Sequence, residues 1–107
     1  MLPEFIETPL FTKQVDGELS AAEFLSFQAH LTLWPNAGAV IPGSGGLRKV
    51  RWRWQGRGKR GGVRIVYFWR SAAGKIWLLY LYPKNVREDL SPVDLRRLRR
   101  LVDEDAN

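Results

Sequence analysis

Apolar residues recur with a helical period in the first third of the chain, alternate in its centre and return to a helical period at the end. Residues 4–7, two apolar positions between two acids, predict a short edge strand. Thr8 followed by Pro9 predicts a helix over 9–16, with the threonine as N-cap and the proline at the first helical position, where its missing N–H costs nothing. Ser20 and Glu23 have the spacing of a capping box. The apolar run behind them, Phe24, Phe27, Leu31 and Trp34 at offsets of three, four and three, predicts one buried helix face that Pro35 and Asn36 terminate.

Residues 36–46 contain four glycines and Pro42 and read as a loop. Beyond it, residues 47–54, 63–70 and 75–82 are rich in Val, Ile, Trp, Tyr and Phe and predict three sequential antiparallel strands. Residues 71–74 suit a short hairpin turn, whereas 55–62 (QGRGKRGG) are too long and too basic for one. Ser91, Pro92 and Asp94 open a last helix, on which Leu95, Leu98, Leu101 and Val102 mark the apolar face and Arg96, Arg97, Arg99 and Arg100 cover the rest. The order predicts one α+β domain over 1–107, with helices packed on one face of a small, mostly antiparallel four-stranded sheet and a C-terminal helix.

Charge changes this picture from a generic domain to a polarised one. Residues 24–87 hold no Asp or Glu and twelve of the seventeen Lys and Arg residues, interleaved with Trp and Tyr, so the net charge of +6 understates the asymmetry. Such a surface suits a polyanion, and nucleic acid is the expected partner. No window approaches a membrane span, and the arginines alternate with strand formers instead of lining an amphipathic helix, so no membrane partner is expected. The chain has no cysteine and one histidine, His30, which excludes thiolate metal sites, histidine clusters and two-histidine acid/base pairs and fits a reducing, cytoplasmic setting. His30 itself lies beside the apolar stripe of its helix and reads as structural.

Alternation places Lys49, Arg51 and Arg53 on one face of their strand, with Val50, Trp52 and Trp54 on the other. Arg64 and Arg70 share a face of the next strand, and Tyr80 and Tyr82 one of the last. Cations and phenols near strand ends can hold phosphates by charge and bases by stacking; a merely solvated basic face is the alternative. In the loop, Arg57, Lys59 and Arg60 could grip an RNA backbone. It lacks the spacing and following helix of a nucleoside triphosphate loop.

Three blocks, 43-GSGGLRKVR-51, 58-GKRGGVRIVY-67 and 80-YLYPKNVREDLS-91, resemble the HigB branch of the RelE/ParE superfamily, toxins of bacterial type II toxin-antitoxin systems. The resemblance extends over essentially the whole chain and departs at Pro83, where glycine is expected. It implies a RelE-like fold and a ribosome-dependent endoribonuclease that cuts mRNA in the decoding site by attack of the RNA 2′-hydroxyl, with no metal or cofactor required. It implies Arg64 as the group that stabilises the transition state, and Lys59, Tyr82, Lys84 and Asn85 as further catalytic candidates. Arg48, Lys49, Arg51, Arg53, Arg57 and Arg60 would position the RNA or the ribosome. The implied partners are a HigA-like antitoxin with a helix-turn-helix domain, the ribosome and mRNA, and operator DNA only through the antitoxin complex. A noncatalytic nucleic-acid-binding module or an operon-regulatory interaction protein on the same fold remains the alternative.

Overall fold

A computed structural model describes residues 2–52, 62–83 and 90–106. Among them the order is β1 (Glu4–Glu7), α1 (Pro9–Glu18), α2 (Ala21–Leu33), β2 (Ala39–Val40), β3 (Arg48–Trp52), β4 (Val63–Arg70), β5 (Lys75–Pro83) and α3 (Pro92–Ala106). The sheet runs β1-β5-β4-β3-β2, with β1 parallel to β5 and the other pairs antiparallel. The α+β class holds. The strand count is five instead of four, because Ala39 and Val40 break the glycine-rich stretch read as loop and pair with Lys49 and Arg48.

The helix starts follow their local chemistry. The Thr8 hydroxyl accepts from Phe11 N–H at 3.0 Å, and the Ser20–Glu23 box closes in both directions, at 3.1 and 2.8 Å. Such caps satisfy amide donors that a helix start otherwise leaves without partners, each worth about 1 kcal/mol. α2 ends one residue earlier than its apolar stripe, so Trp34 becomes the C-cap and stands 60% exposed, while Phe27 and Leu31 are fully buried.

Two cores sandwich the sheet. Phe11, Val15, Phe27 and Leu31 from α1 and α2 pack with Val50, Ile65, Tyr67, Ile76 and Leu78 on one face. The helices do not all share the one face that the sequence predicts: α1 and α2 share one, and α3 closes the opposite one through Leu95, Leu98 and Val102 on Val66, Trp77 and Leu79, because β4 and β5 offer apolar residues on both. A strand buried on both faces gains no benefit from polar alternation. This is why β4 and β5 read as nearly continuous apolar runs. Leu101, placed on the apolar face by sequence, is instead 37% exposed at its margin.

The register of β5 contains one irregularity with consequences for function. Tyr67 pairs with Leu78 but Val66 with Tyr80, so Leu79 is an extra residue in β5, a β-bulge. Leu79 and Tyr80 both turn to the α3 side, and every residue after them is shifted by one relative to strict alternation.

The edge of the sheet is tied to α2 by a buried phenol. Tyr67 Oη donates to Pro35 O at 2.8 Å and accepts from Gly38 N–H at 2.9 Å, and Arg48 Nη1 donates to Gly38 O at 2.7 Å. Gly38 is required there, since a Cβ would stand 2.9 Å from both Lys49 O and the Tyr67 ring. Burial raises the Tyr67 phenol above its ordinary value of 10.0, partly offset by the Gly38 N–H and by Arg48. The folded state therefore holds this proton more tightly than the unfolded chain. The resulting stability is fully present below pH 10 and is lost as pH rises through the higher folded value. Tyr67→Phe leaves two buried backbone groups unsatisfied and should cost about 1–3 kcal/mol at neutral pH. In denaturant titrations the gap between variant and wild type should narrow above pH 10, and a constant gap would contradict the assignment.

Candidate nucleic-acid site

Pairing across three strands builds the site. Arg51 lies directly opposite Arg64, and Arg64 directly opposite Tyr82. Directly paired residues share a face, so Arg51, Arg64 and Tyr82 form a row on the α3 side of the sheet. Lys49, two residues from Arg51, belongs to the next row with Val66 and Tyr80. The bulge at Leu79 decides this composition. Counted back from the hairpin turn without it, Leu81 would face Arg64 and Tyr82 would point toward α1 and α2.

Two arginines directly opposite one another repel, which costs rather than contributes stability. Two guanidinium groups so placed can meet an anion from two sides. Arg51 is exposed, Arg64 and Lys49 are half-buried, and Tyr82 is 3% exposed. Tyr80 and Tyr82 stand with ring centroids 5.9 Å apart. At that burial Tyr82 is packed into the α3-side core and is not presented as a platform for a base.

Beside the row lies a cavity of about 320 Å³, walled by Ile41, Pro42, Val66, Leu90, Pro92 and Leu95, with Lys49 and Tyr82 as its polar lining. Its walls come from the segment before β3, from the sheet and from the start of α3. That helix start is fixed by reciprocal bonds, Asp94 N–H to Ser91 Oγ at 3.1 Å and Ser91 N–H to Asp94 Oδ2 at 3.3 Å. Farther along, Arg99 Nε donates to Gly45 O at 3.0 Å and its guanidinium lies 4.5 Å from the Phe68 ring centroid. Gly45, at φ 76°, leaves room for that side chain, since a Cβ would stand 3.2 Å from it.

Of the residues expected at the site, the structure brings together Lys49, Arg51, Arg64 and Tyr82. Arg48 lies apart, on the other face, where its guanidinium holds the carbonyls of Gly38 and Asn36. Arg53, Arg57, Lys59, Arg60, Lys84 and Asn85 lie outside the described residues. His30 is half-buried with its ring 5.5 Å from that of Trp52, in keeping with a structural role. The cavity walls Ile41, Pro42, Leu90, Pro92 and Leu95 were not foreseen. Proline at 42 and 92 marked loop and helix start, but nothing local says that the two segments meet.

Chemically, the row offers two guanidinium groups across one strand gap with an ammonium and a phenol beside them. A phosphodiester can be held there by charge-assisted hydrogen bonds from more than one direction. Among the described residues no helix is long and apolar enough to cross a membrane.

No family model matches the sequence. The structure is similar to that of the E. coli toxin RelE, solved as a double arginine-to-alanine mutant in the free state. The TM-score is 0.62 at 13% identity, and the match covers 92% of this chain and 98% of the RelE chain. The likeness extends over nearly the whole length of both chains.

Proposed function

We propose that this RelE-like chain is a ribosome-dependent mRNA endoribonuclease of the HigB type, the toxin of a type II toxin-antitoxin pair, formed as one domain over residues 1–107. The observation that carries the reading is the Arg51–Arg64–Tyr82 row beside Lys49, which gathers three cations and a phenol on one face of a RelE-like fold. In the reaction the RNA 2′-oxygen forms a bond to the adjacent phosphorus and the bond from phosphorus to the 5′-oxygen breaks. The products are a 2′,3′-cyclic phosphate and a 5′-hydroxyl. Arg64, supported by Arg51, stabilises the charge that accumulates on the phosphoryl oxygens. The proton leaving the 2′-hydroxyl and the one reaching the 5′-oxygen are assigned to a set drawn from Tyr82, Lys59 and Lys84, with Asn85 as a hydrogen-bonding group that positions the substrate. Arg53, Arg57 and Arg60 would add backbone contacts. A HigA-like antitoxin would hold the toxin inactive in the cytoplasm and carry it to operator DNA.

The test is a purified translation system programmed with one mRNA. Wild-type protein should cut it on translating ribosomes, leaving cyclic phosphate ends, and leave it intact without them. Intact mRNA on active ribosomes would refute the proposal.

A further inference from the structure

The outward side of α3 gathers exposed arginines. Arg96, Arg97 and Arg100 are exposed, and among the described residues none of them makes a hydrogen bond or ion pair. Arg96 and Arg100 stand four residues apart, and Arg97 and Arg100 three apart, the spacings at which like charges on a helix repel, while Asp94, Asp103 and Glu104 stand at the same spacings from Arg97 or Arg100. Arg99 differs from them. It is engaged with Gly45, with the Phe68 ring and with Asp103 at 2.6 Å, so packing accounts for its presence. None of the other three is held by such bonds among the described residues.

Their position adds a second argument. Leu95, one turn inside α3, lines the cavity beside Lys49 and Tyr82, so the helix that bears these arginines forms one wall of the candidate site. The helix rises about 6 Å over four residues, which keeps the three guanidinium groups within one ridge. The helix backbone holds the origins of the three side chains at set spacings, and a duplex, with its denser phosphates and condensed counterions, gains more per neutralised phosphate than a single strand does.

We infer that Arg96, Arg97 and Arg100 form a second RNA-binding surface, one that grips the sugar-phosphate backbone of double-helical RNA beside the segment entering the Arg51–Arg64 row. This rests on RNA being the ligand, as proposed above, but not on its being cut. The surface contributes affinity and orientation without reading sequence, because its contacts are to phosphates.

The probe is a labelled RNA hairpin and, beside it, an unstructured oligonucleotide of the same length, titrated with the full-length protein at several salt concentrations. Arg96→Gln, Arg97→Gln and Arg100→Gln combined should weaken hairpin binding about tenfold or more near physiological salt. The slope of log affinity against log salt should fall by about two to three. Lys13→Glu with Ser26→Glu removes the same net charge from exposed positions of α1 and α2, on the other side of the sheet, and should have a much smaller effect. Lysine at all three ridge positions should restore most of the affinity. The glutamine variant should melt close to wild type, because it removes like-charge and opposite-charge spacings together at little cost in helix propensity. Equal loss in the ridge variant and the charge-matched control would overturn the inference. So would loss confined to the unstructured oligonucleotide, or a wild-type protein that does not bind the hairpin. Absence of mRNA cleavage with the ridge effect intact would instead refute only the endoribonuclease reading.

Discussion

Replacing Arg64 by alanine should slow mRNA cleavage on the ribosome by about 10²–10³-fold, the usual cost of losing one preorganised group that meets developing negative charge. The effect should fall on the rate of the chemical step and little on ribosome affinity, because Arg51 and Lys49 remain to attract the backbone. Single-turnover cleavage of ribosome-bound mRNA separates the two. Arg64→Lys should recover only part of the rate, since an ammonium retains the charge but not the two-point contact of a guanidinium. Stability should shift by about 1 kcal/mol or less, since relief of the repulsion with Arg51 is set against loss of Arg64's own contacts in the fold. A variant that cuts at the wild-type rate would remove Arg64 from the mechanism, and one that fails to fold would show its role to be structural.

Much of this arrangement is legible in the sequence because it is encoded locally. The caps at Thr8, Ser20 and Ser91 depend on residues three positions away, and the bounds of β4 follow from the glycines and β-formers around it. The common face of Lys49, Arg51 and Arg64 follows from alternation within strands together with their antiparallel pairing. What the sequence conceals is non-local. The bulge at Leu79 leaves no mark in a run of Leu, Leu, Tyr, Leu and Tyr, yet it alone brings Tyr82 opposite Arg64. The side of the sheet that α3 covers is fixed by which apolar face it buries, and β4 and β5 offer apolar residues on both. Trp34 misleads for a related reason. Its spacing continues the helix stripe, but the helix stops one residue earlier and leaves the ring in solvent. Ala39 and Val40 make a strand of two residues, too short to announce itself among glycines, and their pairing depends on the Tyr67 and Arg48 bonds that hold the chain against β3.

Arg51→Glu separates the two explanations of the cationic row most sharply, because one predicts no effect on RNA and the other a large loss. If the row is only a solvated surface, reversing one charge is a local electrostatic change with no effect on RNA. If the row receives a phosphodiester, the new carboxylate repels it and competes for Arg64, and RNA affinity and cleavage should both drop by about tenfold to a hundredfold at low salt. The loss should shrink as salt is raised, since Arg51 is exposed and its field is screened. In the fold the same substitution replaces a like-charge pair with an opposite-charge pair directly across two strands, which should stabilise the protein by about 0.2–1 kcal/mol. A chemical denaturation curve and a cleavage assay on one preparation therefore give the answer together. Higher stability with lower activity marks a row kept for its ligand against the interest of the fold. Unchanged activity would reduce the Arg51–Arg64 pair to surface charge, and with it the observation on which the endoribonuclease reading stands.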